Sequence, residues 1–222
     1  MPYAIFLFIV FVESFLLGSI PCGVIVGRTF YKKDPREGGS GSIGMTNMAR
    51  LFGAKAAAIT FAGDVLKGAL AVGITRIFLE FVPIALSTKW QIDLALSLSI
   101  TAGIAGHVFS PWLSFKGGKG ISTGLGTILV GYPPVLATIL ASFLIVAGIS
   151  RRISAGSIVA ALMIPVAAII FEWGNIPLFV LGCIIAIFVT WAHRENIKRI
   201  IAGTEPKFTI RKNKDEGEGE AK

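Results

Sequence analysis

Residues 114–124, Ser-Phe-Lys-Gly-Gly-Lys-Gly-Ile-Ser-Thr-Gly, place Lys116 and Lys119 among four glycines, between two long apolar runs. Gly117, Gly118 and Gly120 leave the backbone free to curl, and without a Cβ their N–H groups can approach an anion closely. Lys119 would add a point charge, and a helix beginning after it would present an N-terminus that also favours an anion. The chemistry this stretch is suited to is holding a phosphate. The competing reading is a basic, glycine-rich loop with no ligand.

Three further polar groups belong with it. The first is Gly39-Ser40-Gly41-Ser42-Ile43-Gly44-Met45-Thr46-Asn47, with Arg50 one turn on; the second is Arg151-Arg152-Ile153-Ser154-Ala155-Gly156-Ser157; the third is His193 with Asn196. Together they supply hydroxyls, backbone amides, a side-chain amide and cations, an inventory for binding phosphate. Ser40, Thr46, Ser154 and Ser157 could instead cap helices. Arg50 could snorkel at an interface, and His193 could be satisfied by a helix-end carbonyl. The lysine stretch is not a P-loop, because Gly120 follows Lys119 and the Gly-x4-Gly-Lys-Ser/Thr spacing is absent. No metal or cofactor motif is present, the two histidines being far apart and the loops poor in acids. Neither His107 nor His193 has an aspartate five residues on, so the His-x4-Asp acid–base pair of common glycerolipid acyltransferases is missing.

The elements that must position these groups are membrane helices. The chain of 222 residues is 54% hydrophobic and 15% charged, with a mean hydropathy of +0.75, and several windows approach the ~20 apolar residues needed to cross a bilayer. The reading is all-α: a polytopic integral membrane protein with about seven transmembrane helices, N-terminus outside and C-terminus cytoplasmic. The expected spans are 3–27, 54–83, 94–109, 155–171 and 176–192, with residues 121–149 forming two short central helices joined at Pro133-Pro134. Residues 29–53 are expected to be a polar loop. Residues 1–202 form one domain; 203–222 form a polar, disordered tail. The run from Pro2 reads as a retained first span, not a cleaved signal.

The net charge of +8 lies between spans and in the tail, which argues for membrane lipid and cytoplasmic loops, not nucleic acid. In this topology Arg28, Lys32, Lys33, Arg36, Arg50, Lys55, Lys116, Lys119, Arg151, Arg152, Arg194, Lys198 and Arg199 all fall on one side. Cys22 and Cys183 read as small core residues. Asp64 and Lys67 share a helix face inside a span and are costly unless paired, so they mark a structural ion pair or a cleft wall. Glu13 has no visible partner.

Gly18-Ser19-Ile20-Pro21, the 39–47 group, Asp64-x-x-Lys67-Gly68, Gly106-His107 through Phe115-Lys116-Gly117-Gly118-Lys119-Gly120, Ser154-x-x-Ser157 and His193-x-x-Asn196 occur in that order. This ordered set resembles the bacterial acyl-phosphate:glycerol-3-phosphate acyltransferases over nearly the whole chain except the tail. The resemblance implies a seven-helix inner-membrane enzyme. It would move a fatty acyl group from acyl phosphate to the 1-hydroxyl of glycerol 3-phosphate, giving 1-acyl-glycerol 3-phosphate (lysophosphatidic acid) and phosphate, the first acylation of bacterial phospholipid synthesis. It needs no cofactor and works downstream of an acyl-phosphate-producing enzyme.

Under this resemblance Lys119, Gly117 and Gly118 form the phosphate cradle, and Ser40, Thr46, Asn47, Arg50, Ser154 and Ser157 complete substrate recognition. His193 and Asn196 take catalytic places with Lys119, and His107 fixes the lysine loop. Ser42 and Met45 depart from the family's usual Gly-Ser-Gly-Asn-x-Gly-Ala-Thr-Asn. The hydroxyl proton goes either to His193 or to the substrate's own phosphate. The rival function is a transporter of a small organic phosphate, whose site would lie near the midplane and open to both sides; a weaker one is a non-enzymatic scaffold for anionic lipid.

Overall fold

A computed structural model describes residues 1–83 and 88–207 of the chain. The outer loop expected after Pro83 falls partly outside the described residues, and the charged run 214–222 wholly so. Among the described residues nine α-helices follow in order, and no strand occurs: α1 (Tyr3–Ser19), α2 (Cys22–Tyr31), α3 (Met45–Phe81), α4 (Lys89–Val108), α5 (Ile121–Gly131), α6 (Pro133–Ser150), α7 (Ile153–Phe171), α8 (Ile176–Ala192) and α9 (Arg194–Ile201). Tyr3–Tyr31, Met45–Phe81, Lys89–Leu113, Pro133–Ser150 and Ile153–Phe171 are long and apolar enough to cross a membrane; α8 and α9, bent by 62°, make a sixth if taken as one span.

Several expected boundaries are corrected. The first span is not continuous: Pro21 has no N–H to give, so the chain breaks at Ile20-Pro21 and restarts as α2. Residues 45–53 are not loop but the first turns of α3, which kinks at Gly53, where φ is 84°. Of the two central helices only α5 is short; its 11 residues reach about 16 Å, roughly half the hydrocarbon thickness. Helix α6 runs 18 residues because its two prolines lie in its first turn, where a missing N–H costs nothing.

Each break exposes carbonyls that lipid cannot satisfy, and polar side chains from other helices reach them. Lys67 of α3 donates to Ile20 O (2.6 Å), and Ser110 Oγ donates to Ser19 O (2.7 Å). At the inner end of α5, Arg76 donates from Nε to Val130 O (2.9 Å) and from Nη2 to Gly131 O (2.7 Å). Arg76 is thus a C-cap supplied by a neighbouring helix, and its charge opposes the negative end of the α5 dipole.

Helix α4 is the central post, touching α1, α3, α5 and α8. Its packing relies on missing side chains: a Cβ on Gly18 would strike the Gly103 carbonyl, and one on Gly106 the Phe15 carbonyl, so α1 and α4 meet backbone to backbone. Helices α3 and α5 do the same at Gly68 against Thr123 and at Gly126 against Val65. Small residues let membrane helices approach closely where no hydrophobic effect drives them together. A core of Ile100, Ile104, Ile128, Ile164 and Ile185 fills the space between α4, α5, α7 and α8. Large apolar residues such as Phe8 (68% exposed) and Ile149 (83% exposed) point outward, toward lipid.

Gly126→Val should therefore separate α3 from α5, with a cost at or above the ~1–3 kcal/mol of overpacking. Gly73→Ala, where an added Cβ meets nothing within 4 Å, should be neutral or stabilising. Thermal melting of the two variants in detergent compares them directly.

Candidate active site

Asn47 ties the 35–44 loop into a knot. Its Oδ1 accepts from Ser40 N (2.9 Å), and its Nδ2 donates to Pro35 O (2.9 Å), Gly38 O (3.2 Å) and Ser42 O (2.8 Å). At 1% exposure its hydrogen-bonding capacity is spent on the chain itself. Asn47 is thereby a loop-former that presents Ser40, Thr46 and Arg50. Ser42 Oγ accepts from Gly44 N (3.3 Å), so its hydroxyl also serves the loop.

The lysine stretch is organised from behind. Gly117 N donates to Val108 O and Gly118 N to His107 O, each at 3.0 Å. Those two amides are therefore occupied, and neither glycine lines the cavity below. The predicted cradle of free Gly117 and Gly118 amides does not form; the glycines are needed because a Cβ on Gly118 would run into the His107 ring. Their effect is to deliver Lys119. Gly120, with φ 79°, then turns the chain in the left-handed region into α5, whose N-terminus faces the cavity.

Lys119 Nζ donates to Asn196 Oδ1 at 2.5 Å, and Asn196 Nδ2 donates to Glu205 Oε1 at 2.7 Å. Glu205 also accepts from Ser154 Oγ (2.6 Å) and Arg199 Nε (2.7 Å). Ser157 Oγ donates back along its own helix to Ile153 O (2.9 Å). His193, at the bend between α8 and α9, is 2% exposed, and its Nδ1 lies 2.8 Å from Val189 O. A carbonyl only accepts, so Nδ1 carries the proton and the neutral ring keeps its lone pair on Nε2.

Ser40, Thr46, Asn47, Arg50, Lys119, Ser154, Ser157, His193 and Asn196 line one cavity of about 920 Å³, which Gly117 and Gly118 do not reach. One part is polar, with Ser40, Thr46, Arg50, Lys119, His193, Asn196, Arg199 and Glu205. It continues into an apolar part between Ile128, Ile139, Leu140, Phe143, Ala161 and Ile164. Among the described residues no three His, Cys, Asp or Glu side chains group as metal ligands.

Sequence reading missed Glu205. It sits in the segment expected to be a loose tail, yet it is 8% exposed and joins α7 to α9. The available signal was its isolation: it is the only acid between Glu195 and Asp215, beside a strongly basic stretch. Arg199, counted only as a topology charge, is also part of the cavity wall.

The electrostatics follow from crowding cations in a partly buried space. Burial pushes the Lys119 ammonium down to about 8, with Glu205 opposing and Arg199 and Arg50 reinforcing the fall. Burial, then the Lys119 charge, push the His193 imidazole, just past the end of the α8 span, down to about 4. Burial pushes the Glu205 carboxyl up, but hydrogen bonds from Ser154, Asn196 and Arg199 outweigh it and hold the group below the usual carboxylate range. Arg50, Lys119, Arg199 and Lys207 outnumber Glu205 and Asp64 in the lining, so the cavity is cationic.

A multi-helix membrane fold holding a buried cationic pocket that opens into an apolar one has the chemistry to accept a phosphate-bearing, lipid-like molecule. The sequence profile of the family described as "Glycerol-3-phosphate acyltransferase" matches residues 8–203, and the chain belongs to that family, which makes it an acyltransferase. A glycerol-3-phosphate acyltransferase of Fusobacterium nucleatum is 38% identical over 92% of this chain and 98% of its own length. One of Trichlorobacter lovleyi is 40% identical over 88% and 94%. A crystal structure of PlsY (YgiH), an integral membrane glycerol 3-phosphate acyltransferase in its glycerol 3-phosphate form, superposes with a TM-score of 0.79 at 27% identity, covering 91% of this chain and 96% of that one. Its lysophosphatidic acid form gives 0.76 at 26% identity.

Because the Glu205 charge favours the protonated lysine, Glu205→Gln should lower the Lys119 pKa below its value of about 8. The pH dependence of Lys119 modification by an amine-selective reagent should shift its midpoint downward accordingly. An unchanged midpoint would mean that the two charges are not coupled.

Proposed function

We propose that this acyltransferase moves a fatty acyl group from acyl phosphate to the 1-hydroxyl of glycerol 3-phosphate, releasing 1-acyl-glycerol 3-phosphate and phosphate. The observation that carries this reading is the single cavity whose polar part suits two phosphates and whose apolar part suits an acyl chain. Acyl phosphate is a mixed anhydride, already activated, so the reaction needs charge stabilisation and orientation, and no cofactor. An acyl-phosphate-producing enzyme would supply the donor at the membrane. The concentration of basic residues in the loops around the site supports a cytoplasmic active site in the bacterial inner membrane, with the N-terminus outside.

In this mechanism Lys119 and Arg50 neutralise phosphate charge, while Ser40 and Thr46 hold phosphate and hydroxyl oxygens. The glycerol 3-phosphate hydroxyl oxygen attacks the acyl carbon, a tetrahedral oxyanion forms, and the C–O bond to phosphate breaks as phosphate leaves with the electron pair. Asn196 holds Lys119 in place, with Ser154 and Glu205 fixing the Asn196 amide from behind. Ser157, whose hydroxyl is engaged within α7, shapes the wall.

Two groups could take the hydroxyl proton. His193 Nε2 has the free lone pair, but a group whose pKa is pushed down to about 4 is a weaker base than a phosphate dianion, whose conjugate acid has a pKa of ~6. The substrate phosphate is therefore the favoured acceptor, with His193 orienting the hydroxyl.

Purified protein incubated with acyl phosphate and glycerol 3-phosphate should release phosphate, and Lys119→Ala should reduce release to background; equal rates would overturn the site assignment. His193→Gln keeps a hydrogen-bonding group that does not titrate. Substrate-assisted transfer expects less than about a tenfold loss of kcat, whereas a general base expects ~10²–10⁴. Collapse of kcat with unchanged glycerol 3-phosphate binding would assign the proton to His193.

A further inference from the structure

Beneath the Lys119 loop lies a buried polar cluster that the proposed chemistry does not use. Lys67 of α3 is 4% exposed, and its ammonium reaches Asp64 Oδ1 (2.8 Å), Ile20 O (2.6 Å) and His107 Nδ1 (2.9 Å). Thr123 Oγ1 of α5 lies 3.0 Å from the same His107 nitrogen. One ammonium therefore joins the break in the first span, the middle of α3 and the end of α4, and the imidazole it holds meets the start of α5.

The hydrogen-bond directions are determined by donor inventory. An ammonium only donates, so Nδ1 of His107 accepts and the ring proton sits on Nε2. That fixes the tautomer and the ring plane. The ring lies against Gly118, where a Cβ would collide with Nε2, and the His107 carbonyl accepts from Gly118 N at 3.0 Å. Gly118 is the residue before Lys119, so the orientation of His107 sets where the Lys119 chain leaves the loop. A buried charge kept at this depth is expensive unless it serves something, and here one ion pair is spent on a single imidazole and one freed carbonyl.

We propose that Lys67 is a positioning residue for the acyl transfer: through the tautomer and orientation of His107 it seats the Gly117-Gly118 turn, and so holds Lys119 at Asn196 where a substrate phosphate docks. Asp64 keeps the Lys67 ammonium in register, and Thr123 keeps the start of α5 against the same imidazole. The proposal rests on Lys119 being the phosphate-holding cation, and the test separates the two claims.

The measurement is the affinity of the full-length, detergent-purified protein for glycerol 3-phosphate, by calorimetry, across the pH range in which lysine titrates. Lys119 is faced by Asn196, Glu205, Arg199, Arg50 and His193, and its own pKa of about 8 should appear as an alkaline limb in the wild type. Lys67→Met should weaken binding about tenfold, the order lost when an outer-shell partner of a functional side chain is removed. It should also move the limb upward, because a displaced Lys119 is less buried and easier to protonate.

Thr123→Val, which removes one hydroxyl, should shift both readouts in the same direction by less, and it carries the test if Lys67→Met does not fold. A lower melting temperature with unchanged affinity and an unmoved limb in these variants would make Lys67 merely structural and overturn the proposal. Wild-type affinity in Lys119→Ala would instead remove the reading of Lys119 on which the proposal rests.

Discussion

Everything in this fold answers to one constraint: a backbone carbonyl freed inside hydrocarbon has no water to turn to, so a side chain must come to it. The chain interrupts its helices at Ile20-Pro21 and at Gly131, and at both places a basic residue from α3 donates to the stranded oxygens. The exchange works in both directions. Lys67 and Arg76 would be costly charges within a span, and the broken helix ends would be costly dipoles; each removes the penalty of the other. Helix α3 is thus the strut against which the irregular parts of the molecule are held.

The site is assembled where regular helix stops. Lys119 comes from the turn before α5, His193 from the bend between α8 and α9, and Ser40 and Arg50 from the knotted loop and the first turns of α3. Irregular backbone brings amides, hydroxyls and cations close together, and the helices around it keep lipid out. Glu205 balances the charge: without it Lys119, Arg199 and Arg50 would repel one another across the same space.

Much of this was readable from residue types. The all-helical membrane class follows from apolar run lengths, and the polar clusters around Ser40, Lys119, Ser154 and His193 do converge on one cavity. The Asp64–Lys67 pair forms as its spacing suggests. What composition hides is where apolar sequence stops being helix: Ile20, Pro21 and Cys22 are as apolar as their neighbours, so a hydropathy window passes over the break. The start of α3 at Met45 was masked by the glycines before it, and Glu205 by the polar segment around it. The Gly117 and Gly118 amides looked free because their partners, two carbonyls at the end of α4, are set by tertiary placement and leave no mark on local sequence.

The backbone-to-backbone contacts at Gly18, Gly106, Gly68 and Gly126 turn the usual relation between side-chain size and tolerance inside out. Phe8, Leu144 and Ile149 are large, apolar and mostly exposed, so they can be exchanged for most residues the bilayer accepts. The tightest positions are those where no further atom fits. Bulk and oiliness describe the rim of this molecule as well as its isoleucine core; what sets the spacing of its closest helix pairs is hydrogen atoms standing where other proteins carry side chains.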